Sequence, residues 1–186
     1  MHKSFAFTAI AALLIALPAA SFAQSAPTRS APSPAPASAP ASATDKDFLA
    51  DAIQGDAAEV KLGELAEKNG GSAQMKDFGK MLVTDHTKAG DQVKATAKEV
   101  GVTVKEEPNS EQRRDYDKLA KLKGAAFDKE FARMSVEDHE KDIAKFQKAA
   151  DAKSGPVSDM AQQQLPTLKK HLQMAQSLQK QQASAP

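Results

Sequence analysis

Phe78-Gly79-Lys80-Met81-Leu82-Val83-Thr84-Asp85-His86-Thr87-Lys88 recurs 53 residues later as Phe131-Ala132-Arg133-Met134-Ser135-Val136-Glu137-Asp138-His139-Glu140-Lys141, with Phe, Met, Val, Asp, His and Lys in register. In each copy the apolar and small residues step by fours and threes, the spacing of one face of an α-helix. The first stripe runs Phe78, Leu82, His86, Ala89, Val93, Ala97, Val100, and the second Phe131, Ser135, His139, Ile143, Phe146, Ala150. Two more segments repeat the pattern: Phe48, Ala52, Gly55, Glu59, Leu62, Ala66, and Val157, Ala161, Gln164, Leu168, His171, Ala175, Leu178. Four long amphipathic helices, each needing to bury one stripe, predict an all-α antiparallel four-helix bundle.

The punctuation between the stripes sets the expected bounds. Thr44 with Asp47 three residues on has the form of a capping box, opening a first helix over about 46–69 that ends at Asn69-Gly70-Gly71. Ser72 caps a second helix that stops at Gly101, and a loop with Pro108 follows. Ser110 starts a short helical piece to Lys123, Gly124 interrupts it, and a third long helix covers about 126–153. Gly155-Pro156 turns the chain into a fourth helix over about 156–179, where Pro166 should free the carbonyl of Gln162 and kink the axis.

Upstream, Met1-His2-Lys3, the apolar run Phe5–Ala20 and Ser21-Phe22-Ala23 have the basic, hydrophobic and small-residue parts of a secretory signal peptide cut after Ala23. Sixteen residues fall short of the roughly 20 a spanning helix needs, so no integral span is expected in the mature chain. Residues 24–44 are a Pro/Ala/Ser tether, 17 of 21 being one of those three, with too little apolar bulk to fold. The expected domains are therefore a signal peptide over 1–23, a disordered linker over 24–44 and a helical domain over 45–182, periplasmic or secreted.

Composition narrows the chemistry. Lys plus Arg number 25 against 24 Asp plus Glu, giving no basic excess and hence no nucleic-acid partner. The absence of Cys removes disulfides, thiolate ligands and thiol nucleophiles, and no glycine-rich phosphate loop or nucleophile elbow is present. An enzymatic role is not indicated. Methionines at helical spacing read as core filler, although Met174 shares a face with His171.

Each stripe carries one central polar residue, and these are Glu59, His86, His139 and His171. A polar group on a packed face costs free energy unless paired. Counted from the turns at 1.5 Å per residue, the four lie about 16, 22, 24 and 24 Å along their helices, one level if both turns sit at the same end. Three imidazoles and a carboxylate at one level suit one divalent transition metal, such as zinc, iron, copper or manganese. The competing reading is a non-catalytic structural or stress-related envelope module in which the same residues form a metal-free buried His/Glu network titrating near pH 6 to 7. Asp85 and Asp138 either orient imidazoles on neighbouring helices or are solvated or salt-bridged surface acids, and Asp56, three residues before Glu59, is either a second carboxylate or a helix-boundary acid.

The runs Glu59-Val60-Lys61-Leu62-Gly63-Glu64-Leu65-Ala66, Asp85-His86-Thr87, Ala126-Phe127-Asp128-Lys129-Glu130-Phe131, Asp138-His139 and Leu165-Pro166-Thr167-Leu168-x-x-His171-Leu172 resemble the bacterial family called domain of unknown function 4142. The resemblance covers about Lys46 to Leu178. It implies a ferritin-like fold in an exported protein with some envelope association, and it implies no established activity or protein partner. Where di-iron ferritins carry Glu-x-x-His, this chain has Val83, Val136 and Leu168 three residues before its histidines, which argues against a dinuclear iron centre and ferroxidase chemistry.

Overall fold

A computed structural model describes residues 41–184, all helix and connections apart from one isolated bridge. The expected signal peptide and residues 24–40 of the expected linker lie outside the described residues. The helices are α1 (Ala43–Asn69), α2 (Ala73–Glu99), α3 (Ser110–Leu119), α4 (Gly124–Asp151) and α5 (Pro156–Ala183). None is long and apolar enough to cross a membrane.

The first cap differs from expectation. Ser42, not Thr44, caps α1: its Oγ accepts from the Asp45 backbone N–H at 3.1 Å, and the Asp45 carboxylate accepts from the Ser42 backbone N–H at 3.1 Å. Both candidate pairs satisfy the capping rule, but Asp45 also accepts from Ser154 Oγ at 2.9 Å, across 109 residues of chain. Asp47 is exposed and has no such anchor. The fourth long helix also runs to Ala183 rather than ending near Gln179, and it stays helical through Pro166.

Two helical hairpins make the bundle. Helix α1 packs on α2 and α4 on α5, and the ring is closed by α2 against α5 and α1 against α4. Gly70 bridges to Gly124, while the Asp128 carboxylate accepts from the N–H groups of Gly71 at 2.8 Å and Ser72 at 3.0 Å. The α1–α2 turn therefore sits beside the start of α4. The α4–α5 turn is tied through Ser154 to Asp45, at the start of α1. The two turns lie at opposite ends, contrary to the assumption behind the depth count. Every neighbouring pair is consequently antiparallel, and the 24-residue link 100–123 carrying α3 must cross the length of the bundle, as the long connection of a ferritin-like fold does. The level survives because the polar residues lie near the middle of helices 27 or 28 residues long, where distance from either end is similar.

Two apolar cores fill the bundle. One, with Leu62, Met75, Phe78, Leu82, Phe127 and Phe131, lies toward the α1–α2 turn. The other, with Leu49, Ile53, Val93, Phe146, Val157 and Leu165, lies toward the α4–α5 turn. On α1 the buried face is rotated from the expected stripe: Leu49 and Ile53 are fully buried, while Phe48 and Gly55 are boundary residues. Between the cores lies a polar layer of Asp56, Glu59, His86, Ser135, His139, Gln164 and His171, all buried.

Helices α1 and α2 approach closely at Gly63 and Gly79. A Cβ on Gly79 would stand 2.6 Å from the carbonyl oxygen of Gly63, whereas one on Gly55 meets nothing within 4 Å. Gly79→Ala is therefore expected to push the helices apart and lower stability by about 1–3 kcal/mol. Gly55→Ala should raise it by about 0.5–1 kcal/mol through helix propensity. Thermal or denaturant unfolding of the two variants checks the opposite signs.

Candidate metal centre

Each long helix projects polar groups into the middle layer, and the three histidines converge there. One ring nitrogen of His86, His139 and His171 lies within 4.8 Å of its counterparts, and all three residues are buried. Their ring centroids are 5.2, 5.3 and 5.8 Å apart. Glu59 is buried beside His86 but does not belong to that 4.8 Å set. Its Oε2 has no hydrogen-bond partner among the described residues.

The hydrogen bonds around the rings assign their protons. His139 Nδ1 lies 2.8 Å from the Ser135 carbonyl oxygen, which can only accept, so this nitrogen carries hydrogen and Nε2 keeps its lone pair. His171 Nε2 donates to the Asp85 carboxylate at 2.9 Å, which leaves Nδ1 with a lone pair. These two lone-pair nitrogens face each other at 3.3 Å. While Asp85 is ionised, reversing either neutral tautomer moves the conflict to the Ser135 carbonyl or the Asp85 carboxylate without removing it. The third ring, His86, bonds through Nδ1 to Asp56 Oδ1 at 2.8 Å, and its Nε2 is buried without a partner.

A second proton on an imidazole would relieve the conflict, but burial opposes it. Burial pushes His86 down to about 4, with Glu59 partly opposing, and His171 down to about 4, with the Asp85 hydrogen bond partly opposing. His139 is lowered by burial as well. The expected titration near pH 6 to 7 is thus displaced downward by desolvation. Burial raises Asp56 to about 8, with Glu106 adding to the effect. It raises Glu59 to about 7 against the pull of His86, with Asp138, Asp142 and Asp56 adding.

The layer thus presents nitrogen lone pairs to one another inside the bundle, and each ring is oriented from behind by Asp56, Ser135 or Asp85. That is the outer arrangement found around metal-binding imidazoles. At ~2.0–2.1 Å from a tetrahedral ion, neighbouring nitrogens stand about 3.3 Å apart, the separation of His139 Nε2 and His171 Nδ1. Of the acids the sequence left open, Asp85 and Asp56 face imidazoles across helices, whereas Asp138 pairs with Lys141 at 3.4 Å. Sequence reasoning attached no role to Ser135, although its place four residues before His139 on the same stripe puts its carbonyl beneath the ring. Met75, Met134 and Met160 are buried in the apolar cores, and Met174 packs against one of them.

Residues 30–178 match the family described as Domain of unknown function (DUF4142). A solved structure described as a DUF305 fragment from Deinococcus radiodurans matches with a TM-score of 0.67 and 16% identity, covering 76% of this chain and 99% of that one. At that identity the likeness concerns the fold. No curated protein matches.

The buried acids give the metal-free protein a signed pH response. Asp56 and Glu59 keep protons in the fold to about 8 and about 7, above their ordinary values of 3.8 and 4.5. Their contribution to stability is complete below about pH 4 and is lost as pH rises through the folded values. The histidines, lowered from 6.5, act oppositely as pH falls from 6.5 toward 4 and are silent above that window. Chelator-treated protein should therefore lose roughly 1.4 kcal/mol per pH unit for each retained proton between pH 6.5 and 8. Asp56→Asn should flatten the slope measured by denaturant unfolding.

Proposed function

The chain belongs to the DUF4142 family, whose description assigns no function, and we propose from the site itself that the bundle binds one divalent transition metal ion through His86, His139 and His171. The observation that carries this reading is the 3.3 Å approach of His139 Nε2 and His171 Nδ1. A cation placed between lone pairs turns that conflict into attraction, and the orphaned His86 Nε2 supplies a third donor. Three nitrogens favour zinc, copper or iron over calcium or magnesium, and manganese remains within the range of an imidazole and carboxylate set. Glu59 is the carboxylate for a fourth position, reached by turning its unpartnered Oε2 toward His86. A metal-free network fits less well, because such a network holds a bundle together only when each member is satisfied.

The role follows the site: non-catalytic capture or holding of a metal by an exported domain. The leader over residues 1–23, with its basic start and small residues before Gln24, supports delivery to the periplasm or the outside of the cell.

Untagged protein purified without chelator should carry close to one equivalent of zinc, copper, iron or manganese by elemental analysis. His139→Ala, prepared in the same way, should have lost it. Metal-free samples of both, with no uptake when these ions are returned, would exclude the site. Asp85→Asn keeps every direct ligand but loses the acceptor behind His171, so its affinity should fall about 10–100-fold.

A further inference from the structure

A groove of about 150 Å³ opens between α1, α3 and α4, directly over Glu59. Its walls include Asp115 of α3 with Asp138 and Asp142 of α4. Glu59 reaches it as a side chain only 6% exposed, with an oxygen that nothing in the described fold satisfies. The two lysines on the same walls are engaged elsewhere or locally, Lys145 with Asp51 at 3.4 Å and Lys141 with Asp138 at 3.4 Å. Two other openings reach histidines: one between α2 and α5, about 130 Å³, is lined by His86 and His171 with three glutamines, Lys88 and a single acid, Asp85, that His171 holds, and one of only about 20 Å³ is bordered by His86, Asp56 and Asp142.

Resting on the metal reading above, we propose that the α1–α3–α4 groove is the cation entrance, a transient carboxylate station in which Asp115, Asp138 and Asp142 draw in a hydrated divalent ion and Glu59 passes it to the histidines. Asp115, Asp138 and Asp142 do not converge with the histidines into one ligand set, so these three serve approach and not final coordination. Excess negative charge in a low-dielectric cleft raises the local concentration of cations and speeds their capture. Glu59 belongs to both ends of this path. It lines the groove and interacts electrostatically with His86. Helix α3 is thereby more than a connection: its Asn109 cap accepts from the backbone N–H groups of Glu111 and Gln112, fixing the turn from which Asp115 follows.

Stopped-flow uptake of Co²⁺ by the chelator-treated full-length protein, followed by its visible absorption, tests this. The Asp138→Asn/Asp142→Asn double variant should take up the ion about tenfold more slowly at low ionic strength, with unchanged stoichiometry and final spectrum. Asp115→Asn, on a partly exposed helix and without consequence for the core, should slow uptake severalfold. In both, dependence on added salt should be weaker than in the parent. Lys88→Gln at the α2–α5 opening should leave the rate unaltered. Parent-like rates in both acid variants, or faster uptake in Lys88→Gln, would overturn the entrance while leaving the histidine site standing. Failure of the parent protein to bind Co²⁺, or a spectrum unaffected by His139→Ala, would overturn the metal reading and the entrance with it.

Discussion

Two imidazole nitrogens, each with its hydrogen committed elsewhere, meet at 3.3 Å in the middle of the bundle. With Asp85 as a carboxylate, no pair of neutral tautomers satisfies both them and the groups behind them. The conflict is held in place by groups that are themselves fixed, the Ser135 carbonyl within α4 and Asp85 across the α2–α5 interface. Apolar cores lie above and below it. Such a layer lowers the stability of a bundle whose four stripes would pack better if apolar throughout. Its persistence at one level on all four long helices is a structural argument for a ligand.

The topology brings those helices to one level without demanding exact register. Each hairpin is set by a tight turn, and the two turns lie at opposite ends because the crossover carries the chain back along the bundle. Residues near the middle of helices of equal length meet whichever way the helices run. Direction matters at the ends, where Asp128 receives the N–H groups of the α1–α2 turn and Asp45 receives Ser154. These carboxylates dock one hairpin onto the other.

Helix number, spacing and the stripes of α2, α4 and α5 were legible because turn residues and 3.6-residue periodicity are local properties. The histidine triad was legible for the same reason, each ring being the polar exception on an apolar stripe. What escaped depends on how elements meet. Ser42 and Thr44 are equivalent caps until Ser154 arrives from the far hairpin. The face of α1 is ambiguous because Ala-rich sequence offers several stripes, and contact with both α2 and α4 selects Leu49 and Ile53. Asp56 and Asp85 could be placed on their helices, but whether they faced solvent or an imidazole turned on helix rotation. Glu59 could be placed on a buried stripe, yet a place on a stripe does not aim a flexible side chain, and it borders a groove built by α3.

His86 belongs to the first hairpin, while His139 and His171 belong to the second. An ion shared by all three would tie residues 53 and 85 positions apart in a chain without cysteine. Mechanically it would serve as a reversible cross-link, closing a long loop in the unfolded chain and holding the two halves together in the folded one. Metal supply would then set how readily the hairpins part, so the protein's resistance to unfolding and proteolysis would track the ion content of its surroundings.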